Sequence, residues 1–190
     1  MSFVALSGLP RTGSTLLSAI LDQNPEIHAE GNSAVCQLMW DMQQSCLTNS
    51  SQQLQANYRE STQDDLVRAI PAIYYKDVKA SHIIDKCRSW TLPDNMAMLK
   101  RYVRDDPKVS VLTRPVDEIV EWAKENNNGE FYFVEYSDLV ESTSEVVDSI
   151  YEFCGVEPFA HDFLKIVNYY PENDLVYGLV GHHEIRSKIG

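Results

Sequence analysis

The chain has no apolar run near the roughly 18 residues that a membrane-spanning helix needs, so no span is expected. It does not open on a basic stretch followed by an apolar one. No secretion signal is therefore expected, and the expected location is cytoplasmic. Its cysteines are Cys36, Cys46, Cys87 and Cys154, with no C-x-x-C pair among them. That argues against a zinc knuckle or a dithiol redox motif and leaves reduced, mostly buried thiols. Positive charge is scarce: 16 Lys and Arg against 28 Asp and Glu give a formal net charge of −12. Such a chain is a poor general binder of nucleic acid or of a long polyanionic glycan. An anionic ligand must be met by a few cations gathered in one place, so the position of each arginine and lysine carries weight.

The 190 residues, 44% of them apolar, suit one soluble domain with a sizeable core. Apolar or β-branched runs recur at residues 3–6, 27–29, 81–84, 109–112 and 131–134. Helical spacing lies between them. Leu16, Leu17, Ile20 and Leu21 share a face, as do Val35, Leu38, Met39, Met42 and Cys46. Leu66, Ile70, Ile73 and Tyr74 repeat the spacing, and so do Val116, Ile119, Val120 and Ala123. Val146, Val147, Ile150, Tyr151 and Cys154 form the clearest amphipathic helix, closed by Gly155. Strands alternating with helices predict an α/β domain over residues 1–190. Its sheet is expected to be mainly parallel, four- to five-stranded and flanked by helices. Residues 48–62 are polar and predict a loop; residues 124–129 predict a turn. Residues 31–78 are expected to form a helical and loop cap contributing to a ligand site.

The most informative stretch is Gly8-Leu-Pro-Arg-Thr-Gly-Ser-Thr15, set between the first strand and first helix. Strand, glycine loop and helix is the setting of a phosphate-binding loop, whose N–H groups and helix dipole hold an anion. It is not a nucleoside-triphosphate loop of the G-x-x-x-x-G-K-[ST] kind. The lysine position is Ser14, and the positive charge sits at Arg11. In a parallel sheet, ligands gather where strands end. The predicted strands lead to this loop, to Glu30, to Asp85-Lys86 and to Arg114.

The loop resembles that of sulfotransferases that use 3′-phosphoadenosine 5′-phosphosulfate (PAPS), closest in pattern to the bacterial, carbohydrate and tyrosylprotein branches. Further segments are similar in chain order, from Asn24-Pro-Glu-Ile-His28 to the C-terminal Gly178–Gly190 stretch. By this resemblance Arg11, Thr12, Gly13, Ser14, Thr15 and Leu16 hold the 5′-phosphosulfate, with Lys86 near the leaving group and Arg88 assisting. Arg114 would hold the 3′-phosphate, together with Arg186 or Lys188. Trp122 departs from the pattern, standing where the family usually has a 3′-phosphate serine. Tyr136 would lie near the adenine. Glu30 would be the general base, although related chains place that glutamate at position 31 or 32; His28 and His82 are competitors.

The resemblance implies an enzyme that moves a sulfuryl group from PAPS to a hydroxyl, less readily an amine, of a small-molecule or glycan-like acceptor. The bisphosphorylated nucleotide, PAP, leaves, and no metal is required. Arg11, Lys86 and Glu30 would carry the chemistry. The acceptor surface is expected within residues 32–75, which include Trp40, Tyr58, Tyr74 and Tyr75. Neither the acceptor nor the oligomeric state is written in the sequence. Two alternatives remain open: a P-loop kinase, and a non-catalytic nucleotide-binding protein on the same fold.

Overall fold

From Phe3 to Gly8 the strand β1 (Ser2–Gly8) is buried at every residue. A strand hidden on both faces belongs in the middle of a covered parallel sheet. The computed structural model, which describes residues 2–113, 121–181, 183–185 and 187–189, places it there. The other strands are β2 (Ile27–Asn32), β3 (His82–Lys86), β4 (Val109–Thr113) and β5 (Phe131–Glu135). Every pairing is parallel, and the order is β2-β3-β1-β4-β5. The predicted runs at 3–6, 27–29, 81–84, 109–112 and 131–134 match these five strands, longer or shifted by a few residues.

Among the described residues the α-helices are α1 (Ser14–Leu21), α2 (Val35–Leu47), α3 (Ser51–Ala56), α4 (Thr62–Tyr74), α5 (Pro93–Met98), α6 (Glu121–Glu125), α7 (Tyr136–Glu141) and α8 (Thr143–Cys154). Alternate residues of β1 face opposite layers, as the pleat requires. Val4 and Leu6 pack with α1, α7 and α8; Phe3 and Ala5 pack with α2, α4 and α5. No described helix is long and apolar enough to cross a membrane.

One expectation changes. The polar stretch 48–62 contains α3, none of whose residues is buried, so no apolar periodicity announced it. The segment 31–78 also feeds the core: Val35, Met39 and Val67 are fully buried against the sheet, while most of its residues are not buried. Tyr75 is buried too and is a structural donor, whereas Tyr58 is almost fully exposed.

The strand order directs the site. From β1 the chain goes to the edge strand β2, returns to β3 beside β1, and then crosses to β4 on the other side. The C-terminal end of β1 is therefore a topological switch point, where open α/β sheets form their ligand crevice. The loop at residues 8–15 begins there.

Candidate active site

Glycine makes the loop possible at two points. Gly8 has φ +149°, and a Cβ there would stand 2.9 Å from the Leu112 carbonyl oxygen. Gly13 has φ +91°, and its Cβ would stand 2.7 Å from the Tyr136 ring. Between them Arg11 adopts φ 69°, a left-handed conformation that costs a non-glycine residue about 1–2 kcal/mol. Backbone strain of this kind gathers at ligand-binding turns.

Thr12 shapes the loop from inside. It is fully buried, and its Oγ1 and N–H both donate to the Leu9 carbonyl, at 2.8 and 3.3 Å. It does not line the cavity, whereas Arg11, Gly13, Ser14, Thr15 and Leu16 do. No side chain caps α1. Its first N–H groups, which have no partner within the helix, are available to an anion.

β3 delivers the second cation. Lys86 Nζ donates to Thr15 Oγ1 at 3.2 Å, so the end of β3 meets the first turn of α1. Burial lowers the lysine's pKa, partly offset by the Glu172 carboxylate beside it. Its neighbour Asp85 is fixed deep in the fold. Asp85 accepts from Ser33 Oγ at 2.6 Å and from Tyr75 Oη and Trp90 Nε1 at 2.7 Å each. Burial raises the Asp85 pKa, and these three donors oppose the rise. Asp85 thus anchors the strand end that carries Lys86 and does not pair with it.

Arg88, Tyr136, His183, Glu184 and Ile185 complete a cavity of about 280 Å³ around the loop. From the late segment, His183, Glu184 and Ile185 line this cavity. Lys188 is solvent-exposed and does not line the cavity. Ile189 next to it is buried in the core, and the Ser187 carbonyl accepts from the Ile166 N–H at 2.8 Å. Arg114 and Arg186 lie outside the described residues. Trp122 packs edge-on against Phe131, as a core residue would.

A second cavity, of about 340 Å³, is lined by Glu30, Gly31, Asn32, Tyr170, Pro171 and Glu172. Glu30 stands here and not in the cavity of the loop, its Oε2 3.4 Å from His28 Nε2. His28 meets the Tyr170 ring at 4.7 Å. The competitor His82 begins β3 and is paired with Ser2 and Ile27, at the opposite end of the sheet from Lys86. That placement removes it as a base.

Residues that no motif suggested join the cavities. Glu172 Oε1 accepts from Lys86 Nζ at 3.2 Å and from the Asn32 N–H at 2.9 Å. His183 Nε2 lies 3.7 Å from the same oxygen, and its Nδ1 lies 2.5 Å from Asp174 Oδ1. The only sequence-level sign of Glu172 is a gap, the glycine at position 31. Among the described residues, no group of three or more His, Cys, Asp or Glu is arranged to hold a metal ion.

This geometry is an anion cradle at a switch point, served by Arg11, Lys86 and Arg88, with carboxylates on the adjoining side. Several solved structures share the fold. A sulfotransferase domain from the Synechococcus PCC 7002 olefin synthase is 19% identical, over 83% of this chain and 74% of that one, with a TM-score of 0.56. One from the curacin biosynthetic pathway is 15% identical over 90% and 78%, with a TM-score of 0.55. A sulfotransferase from Mycobacterium avium is 14% identical over 83% and 64%, with a TM-score of 0.51. No curated protein sequence matches the chain. A sulfotransferase family model matches residues 4–92, and a sulfotransferase domain model matches residues 75–171, more than half of the chain. The chain belongs to the sulfotransferase family, and sulfuryl transfer is its class of reaction.

Proposed function

We propose that the chain transfers a sulfuryl group from PAPS to the hydroxyl of a small acceptor. The observation that carries this reading is the meeting of Lys86 with Thr15, which brings a buried cation to the anion loop. The residues suit the donor's phosphosulfate end: a glycine cradle, an uncapped helix start, and Arg11, Ser14, Thr15 and Lys86 together. The donor supplies the activated sulfuryl group; this chain supplies charge and position.

Arg11 and the N–H groups of α1 hold the 5′-phosphate charge. Lys86 stands where charge builds on the leaving oxygen. The acceptor hydroxyl enters from the second cavity, where a carboxylate takes its proton. Glu30 is the residue that sequence nominates for this role, and Glu172 shares the cavity with it. Tyr170 offers the acceptor an aromatic face, backed by the buried His28 ring. Arg114, Arg186 and Lys188 are the sequence's candidates for the 3′-phosphate.

The test is calorimetric titration with PAP, without magnesium, set beside ATP with magnesium. PAP is expected to bind more tightly. Tighter binding of ATP with magnesium overturns the reading in favour of a kinase. PAP binding with no PAP released from PAPS, to water or to an added alcohol, points to a non-catalytic nucleotide-binding protein.

A further inference from the structure

The Glu172 carboxylate stands in space that a side chain at position 31 would take. A Cβ on Gly31 would lie 2.2 Å from Glu172 Cγ and 2.7 Å from its Oε1. Glycine there lets a distant segment bring a carboxylate to the end of β2. The backbone then holds it: the Asn32 N–H donates to Oε1 at 2.9 Å. The side chain is only 9% exposed.

Its position relative to the two cavities is specific. Glu172 lines the second cavity, and it contacts Lys86, which lines the cavity of the loop. It is therefore the carboxylate at the boundary between donor and acceptor sides. Glu30 lines the second cavity alone and is turned toward His28.

Lys86 links the two halves of the chemistry. Its ammonium pairs with Glu172 at 3.2 Å. When the donor's leaving group engages Lys86, the carboxylate shares that ammonium with it, while the Asn32 N–H still holds Oε1 and His183 Nε2 stays 3.7 Å away. A carboxylate eased away from its ammonium is free to accept a hydrogen bond from the acceptor hydroxyl. We infer that Glu172 is the proton acceptor for the attacking hydroxyl, restrained by Lys86 until the donor is bound. This rests on the donor assignment proposed above.

The step balances. The acceptor oxygen forms a bond to sulfur while the bond from sulfur to the bridging oxygen breaks. The electron pair of that bond stays on the bridging oxygen beside Lys86. The hydroxyl proton moves to Glu172. Lys86, His183 with its partner Asp174, and Glu30 are the titratable groups facing or sharing this site.

The test compares wild type with Glu172→Gln, whose amide oxygen still accepts from the Asn32 N–H. Two readouts are taken: PAP binding by calorimetry, and PAP release from PAPS with an aliphatic alcohol or water as acceptor. Glu172→Gln is expected to bind PAP at least as tightly and to release PAP from PAPS about 100-fold more slowly. Glu172→Asp, with a shorter reach, is expected to lose roughly tenfold in release. Release by Glu172→Gln within threefold of wild type overturns the inference. Should Glu172→Gln fail to fold, wild-type release from Glu172→Asp overturns it equally. Wild type that fails to bind PAP at all removes the donor assignment, and this inference with it.

Discussion

Lys86 Nζ lies 3.2 Å from Thr15 Oγ1, across 71 residues of chain. The contact follows from topology: β1 and β3 are parallel neighbours with Leu6 opposite Lys86, so the residues following them share one edge. A chain of net charge −12 thereby places its few useful cations around one anion loop.

Arg11 is the exposed cation of that loop, and its left-handed backbone sets up a trade-off. Arg11→Gly and Arg11→Ala are both expected to lower PAP affinity at least tenfold, because a charge-assisted contact is lost. Glycine accepts φ 69° without penalty, so Arg11→Gly is expected to be about 1 kcal/mol more stable than Arg11→Ala. Calorimetry and thermal melting measure the two effects separately. Equal stability of the two variants contradicts the strain, and unchanged affinity contradicts the role.

Gly13 carries two constraints at once, a positive φ and the Tyr136 ring beside it. Gly13→Ala is expected to destabilise the fold by roughly 1–3 kcal/mol and to displace the start of α1. PAP binding should fall with it. Removing the ring in Gly13→Ala/Tyr136→Ala relieves the contact and leaves the backbone strain, so only partial recovery is expected. Full stability of Gly13→Ala in denaturant titration counts against this account.

The loop and Lys86 were legible because their evidence is local: a glycine pattern after a strand, and a lysine ending the next apolar run. The five strands were legible for the same reason, since buried parallel strands read as continuous apolar runs. α3 gave no signal because none of its residues is buried. Glu172 and the His183–Asp174 pair were silent for a different reason. Glu172 meets its partners across 86 and 140 residues, from an irregular segment with no periodicity. Neither family match extends to it. The inward turn of the Thr12 hydroxyl gave no signal, because a motif fixes residue types and not the direction of a hydroxyl.

Asp85 ties three elements to the strand that carries Lys86. In Asp85→Ala, the donors on Ser33, Tyr75 and Trp90 lose their acceptor in a dry interior. The expected loss is at least about 3 kcal/mol of stability, since each unpaired buried donor costs about 1–3 kcal/mol. Tyr75→Phe removes one donor and leaves the carboxylate two, so its loss should be nearer 1 kcal/mol. Urea titration measures both. Similar losses in the two variants contradict the shared acceptor.

Asp22 gives the fold a pH dependence whose sign can be derived. Its Oδ1 accepts from the Ala29 N–H at 3.2 Å in a half-buried position at the end of α1. Burial raises its pKa from 3.8 to about 6, opposed by the Ala29 N–H and by His28 and reinforced by Glu30. A carboxyl with a raised folded pKa binds its proton more tightly folded than unfolded. The cost of ionising it is therefore absent below pH 3.8, grows between 3.8 and about 6, and is complete above that. Asp22→Asn never ionises, and its amide oxygen can still accept from Ala29. The variant is expected to match wild type near pH 4 and to melt progressively higher than wild type as the pH rises to 7. Asp85 and the other titrating groups that do not act on Asp22 cancel in the difference; His28 and Glu30, which do act on it, add only a smaller correction. A constant gap across that range, or a gap that narrows with rising pH, contradicts the assignment.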